Sequence, residues 1–99
     1  MTMSPKSFSI KNWSQDDQPR EKQRDKGARF LSDSELIAIL IGSGTVQESA
    51  VDLSKRILSS VDHDLQRLAK LTTAQLMTFK GIGEAKAIKI RAAMELSHR

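Results

Sequence analysis

The chain has 99 residues, 28% of them charged and 38% hydrophobic, with a net charge of +4; that length holds one domain, which buries roughly two-thirds of the surface its unfolded chain exposes. With no cysteine and only His63 and His98, disulfides and cysteine nucleophiles are excluded and no metal site is expected. No apolar run reaches membrane-spanning length and the first ten residues lack a secretory pattern, so a cytoplasmic protein without a membrane partner is expected.

Residues 1–17 carry Phe8, Ile10 and Trp13 as their only large apolar groups and read as an extended or partly disordered arm, with Trp13 as its tether. Residues 18–99 then read as one helical domain. Asp17 before Gln18-Pro19-Arg20-Glu21 marks a helix start with proline in the first turn, and that helix stops before Gly27. Ser32-Asp33-Ser34-Glu35 fits a capping box, which decides for helix over strand in the apolar run 36–41. Gly42-Ser43-Gly44-Thr45 ends this helix. From Ala50 to Val61 one face carries Ala50, Val51, Leu53, Ile57, Leu58 and Val61. Asp64 caps a short helix, and Thr72 with Gln75 forms a second capping box before 76–79.

The last helix, from Glu84 to about Ser97, carries two apolar stripes: Ala87, Ile90 and Met94 on one side, and Ala85, Ala92 and Leu96 on another. The second stripe is expected to be core, with docking of another domain or a second copy as the alternative. Between the two final helices stands Gly81-Ile82-Gly83, where the chain reverses in few residues and exposes helix-start amides suited to a phosphate oxygen. Aligning Gly42-Ser43-Gly44 on this turn gives a weak internal repeat, in which the second helix of the first copy starts about two residues later. Charge follows the turn as well. Residues 1–49 hold seven basic against seven acidic side chains, and residues 50–99 hold nine against five.

The stretch Phe79-Lys80-Gly81-Ile82-Gly83-Glu84-Ala85-Lys86-Ala87 resembles the helix-hairpin-helix motif of DNA-repair and recombination proteins. With Gln18-Pro19-Arg20-Glu21-Lys22, the run from Leu31 to Leu40 and Gly42-Ser43-Gly44-Thr45, the chain from about Ile10 onward resembles the amino-terminal region of the RadC (UPF0758-like) family. That resemblance implies DNA binding and a carboxy-terminal metal-hydrolase-like JAB/MPN domain, whose His-x-His pattern is missing here, so the chain reads as an isolated amino-terminal domain. Two departures stand out: Glu84 replaces the proline frequent after the second glycine, and Asn12-Trp13 stand where the family more often has a proline-containing acidic segment.

The expected fold is all-α, a compact bundle of five to six short helices with one clear helix-hairpin-helix and a possible degenerate second copy. The expected function is non-sequence-specific DNA binding as a module of a DNA-repair protein. Its contacts would be the amides of Gly81, Gly83 and Ala85, with Ile82 as an inward plug and Lys80, Lys86 and Lys89 on neighbouring phosphates. At Gly42, Ser43, Gly44 and Thr45 a plain helix connection outweighs a second DNA contact, because no lysine follows the turn. The alternative function is a protein-interaction or regulatory module that docks the carboxy-terminal domain without binding DNA. No acid pair, phosphate loop, catalytic triad or metal cluster is discernible, so no enzymatic activity and no cofactor are expected of this chain.

Overall fold

The sequence predicts three side-chain caps, and a computed structural model, which describes the backbone of residues 5–99 and side chains from residue 14, shows all three. Helix α2 (Asp33–Ile41) starts at the Ser32/Glu35 capping box, α4 (Leu65–Lys70) at Asp64, and α5 (Thr73–Leu76) at the Thr72/Gln75 box. The remaining helices are α1 (Pro5–Lys26), α3 (Ala50–Ser60) and α6 (Glu84–His98), with a 3₁₀ turn at Ala28–Phe30 after α1. Among the described residues there is no strand, so the fold is an all-α bundle of six helices.

Helix α3 supplies the centre. Its Leu53, Ile57 and Leu58 are buried and join Ile37 and Ile41 of α2, Leu68 of α4, Leu76 of α5 and Ile90 of α6 in a single core. The face read from the sequence is therefore the one that packs, because apolar burial of this kind supplies most helical stability in a short chain.

Two expectations are corrected. Residues 5–17 are helical where an extended or partly disordered arm was expected, and the predicted start near Asp17 lies inside α1. Pro19 removes only its own backbone donor, and its ring is fully buried, so packing compensates for an interior proline. The tether expected of Trp13 lies outside the described side chains. On α6, Ala87 and Ile90 are buried and Met94 half-buried, but Ala85, Ala92 and Leu96 are not core: all three are exposed, Leu96 at 74%. The cause is geometric: α2, α4 and α5 cover α6 along one face only.

The amino-terminal helix is joined to the domain by Asp16, which is 4% exposed. Its Oδ1 accepts from the Ala50 N–H at 2.6 Å and its Oδ2 from the Gly44 N–H at 3.0 Å. Ala50 is the first residue of α3, so an acid from a distant helix supplements the Ser49 hydroxyl, which accepts from the Asp52 N–H at 3.2 Å. Arg20, one turn further along α1, donates to the Gly42 carbonyl and to Asp17. Asp16→Ala leaves two amides without their acceptor and is expected to cost about 3 kcal/mol, against under about 0.5 kcal/mol for exposed Asp17→Ala. Urea denaturation of the two variants checks this.

The Glu35 carboxylate accepts from the Ser32 N–H at 2.9 Å and from Lys22 Nζ at 3.2 Å, linking α1 to the start of α2. The backbone bond, then the Lys22 ammonium, holds its pKa below the ordinary 4.5. A lowered carboxylate pKa contributes stability at neutral pH that is lost as pH falls from the unfolded value through the folded one. Glu35→Gln is therefore expected to flatten the fall in thermal midpoint below pH 4.5 relative to the parent chain, measured by circular dichroism.

Candidate nucleic-acid interface

The final reversal is built from the Thr72/Gln75 box onward. After α5 the Ile82 N–H returns to the Phe79 carbonyl at 3.0 Å, closing a four-residue turn in which Gly81 takes φ +101°. Ile82 is 4% exposed and part of the core, so the turn is anchored by this side chain. Helix α6 then begins directly after Gly83, which carries no side-chain cap. Among the described residues, the N–H groups of Gly81, Gly83, Glu84 and Ala85 have no protein acceptor, and Gly83, Glu84 and Ala85 are exposed.

The three lysines assigned to this turn separate into two groups. Lys80 and Lys89 are exposed. Lys86, by contrast, donates to the Ser43 carbonyl at 2.7 Å and lies 3.4 Å from the Gly81 carbonyl oxygen. It joins the two glycine turns. Arg56 braces the same region from α3, binding both Glu48 carboxylate oxygens at 3.1 and 2.9 Å and donating to the Lys80 carbonyl at 3.2 Å. Its guanidinium also lies 5.8 Å from the Phe79 ring centroid. The Glu48 carboxylate raises the Arg56 pKa further above its already high ordinary value.

At the first turn the sequence repeat holds only in part. The two turns touch, since a Cβ on Gly81 would stand 3.0 Å from Thr45 Cγ2 and 3.1 Å from Leu53 Cδ2. Their second halves differ, however. Thr45 to Ser49 intervene before α3, a longer insertion than the two-residue offset read from the sequence, whereas α6 follows Gly83 at once. The Thr45 N–H donates to the Glu48 carbonyl at 2.7 Å, and Thr45 Oγ1 accepts from the Gln47 N–H at 3.2 Å. Gly44 has no room for a side chain, because a Cβ would overlap the Glu48 carbonyl and the backbone of Ser49 and Ala50. Its N–H is taken by Asp16. Of the predicted second-hairpin residues, Ser43 is exposed while Gly42, Gly44 and Thr45 are half-buried.

Sequence reasoning missed Asp16 and Arg56, which hold this region together. Asp16 is one of two adjacent acids in a polar run, and Arg56 lies on the solvent side of α3; neither spacing announces a partner 24 to 34 residues away.

Fold and site together define a small helical domain with two paired glycine turns, one filled by the domain's own carboxylate and the other open at a helix start. A family model described as UPF0758 N-terminal matches residues 10–88, and the chain belongs to that family. The UPF0758 protein of Flavobacterium johnsoniae is 58% identical over 97 residues, covering 98% of this chain and 42% of the relative. Those of Porphyromonas gingivalis and Geotalea uraniireducens are 49% and 42% identical, over 93% and 94% of this chain and 41% of each relative. The chain thus spans about two-fifths of the length of these relatives. No solved structure matches it.

The two glycines of the open turn are expected to respond differently to alanine. Gly81→Ala meets both a positive φ and two tight contacts and is expected to cost about 2 kcal/mol, whereas Gly83→Ala enters open space at φ −90° and stays below about 1 kcal/mol. Thermal unfolding of the two variants gives the comparison.

Proposed function

We propose that this domain binds DNA through the phosphate backbone, without sequence preference, by seating a phosphate on the first turn of α6. The observation that carries the reading is the set of exposed, unpartnered amides at Gly83, Glu84 and Ala85, at the start of a 15-residue helix. An N-terminal turn of this length presents both N–H donors and the positive end of the macrodipole. Lys80 before the turn and Lys89 one turn into α6 supply the neighbouring charge. The resemblance to the helix-hairpin-helix motif and the basic excess in residues 50–99 support the same reading.

Lys86 acts here as a positioning residue. Its ammonium holds the Ser43 and Gly81 carbonyls, so its contribution is the geometry of the turn. Glu84, exposed in the same turn, opposes an incoming phosphate. A role in DNA repair would follow from where such a module delivers the longer family chains.

Fluorescence anisotropy on a labelled duplex from about 25 to about 200 mM salt tests the reading. Lys80→Ala combined with Lys89→Ala is expected to lower the slope of log affinity against log salt by about 2. Glu84→Gln is expected to raise affinity roughly twofold to fivefold by removing one like charge. Equal affinities and equal slopes in all variants would remove the α6 start as the binding site.

A further inference from the structure

Helices α4, α5 and α6 enclose an open groove of about 700 Å³. Ala69, Ile88, Ala92 and Met94 line it with apolar surface, and Lys70 and Arg91 with cationic groups. Ile88 is 53% exposed, and Leu96 continues the same face of α6 at helical spacing. The acid in the lining, Glu95, is paired with Arg99 at 3.2 Å. The groove thus offers an apolar floor with a positive rim.

We propose that this groove seats an apolar segment with acidic flanks that belongs to the portion of the longer family chains following the matched region. Three observations select that occupant. The family model is the amino-terminal one, while relatives such as that of Flavobacterium johnsoniae use only 42% of their length in the match. The groove runs along α6, the last element, and His98 lines it near the end of that helix. Chain that follows this helix in the relatives therefore emerges at the mouth of the groove, where a tether raises its effective concentration to the millimolar range. The rim charge selects acidic flanks, and the helical spacing of Ile88, Ala92 and Leu96 suits an amphipathic helix laid alongside α6. This inference is independent of DNA binding, because it uses none of the residues at the α6 start.

The test exploits the absence of cysteine from the chain. Ala92→Cys is made in the 99-residue chain and in a chimera in which these residues replace the matched portion of the Flavobacterium johnsoniae relative, and the rate of thiol alkylation at that position is followed by peptide mass spectrometry. The expected result is slowing by about tenfold or more in the chimera. Lys80→Cys is expected to react equally in both, and adding Ile88→Glu to the chimera is expected to restore the fast rate with helicity unchanged by circular dichroism. Equal rates for Ala92→Cys in the two proteins overturn the proposal, as does failure of Ile88→Glu to restore labelling. Protection that grows with concentration in the 99-residue chain alone also overturns it, by assigning the face to a second copy.

Discussion

The arrangement depends first on one carboxylate. Asp16 is buried, and a buried carboxylate is tolerated only where donors replace its lost water. Those donors are the amides of Gly44 and Ala50, both of which would otherwise lack an acceptor at the end of a loop. The exchange satisfies both parties and fixes three pieces at once: α1, the first glycine turn and the start of α3. Because α3 carries Leu53 and Ile57 at the centre of the core, the position of its first turn sets the position of nearly everything packed on it. One buried carboxylate thereby ties a polar amino-terminal helix to a domain whose apolar content is modest.

A second group of contacts repeats the logic with the opposite sign. Arg20, Arg56 and Lys86 donate to the carbonyls of Gly42, Lys80 and Ser43, and all three of those carbonyls belong to the glycine turns or their flanks. Tight turns leave carbonyls that no helix ladder can reach, and long cationic side chains reach them while laying their stems on the surface. The consequence for function is a redistribution of charge. A net charge of +4 reads as a basic surface, yet three of these cations are committed to the protein's own backbone, and the charge left open at the α6 start belongs to Lys80 and Lys89.

Local signals were the legible ones. Ser32 with Glu35, Asp64, and Thr72 with Gln75 each declare a helix start within four residues, and each starts one. The buried face of α3 follows from helical periodicity in the same way. Three features depend on distant partners and were not legible. The helical amino terminus contradicts its local reading because Pro19 and Asp16, three positions apart, both turn toward the domain and are buried there. Periodicity gave two apolar stripes on α6 but no means of telling which one the other helices reach. Lys86 has the sequence position of a phosphate ligand, and only the adjacency of the two turns makes it a clasp.

That adjacency also explains how one glycine pattern yields two different ends. In the first turn the insertion Thr45 to Ser49 delays the helix, and the space is closed by the Asp16 carboxylate, an anion supplied from within. In the second the helix starts at once, and Gly83, Glu84 and Ala85 in its first turn are exposed. The filled turn holds its oxyanion on the Gly44 amide and on the Ala50 amide at the start of α3, and the amides of the open turn stand likewise at the start of α6. Glu84 opposes binding by a calculable amount. Two unit charges about 4 Å apart in water repel by about 1 kcal/mol, whereas each charge-assisted hydrogen bond contributes about 1.5–3 kcal/mol. Two such bonds to a phosphate outweigh the carboxylate, and the margin is enlarged by Lys80 and Lys89 and reduced by salt. For the proposed phosphate seat, these terms suit a polyanion held at several points better than a single free phosphate.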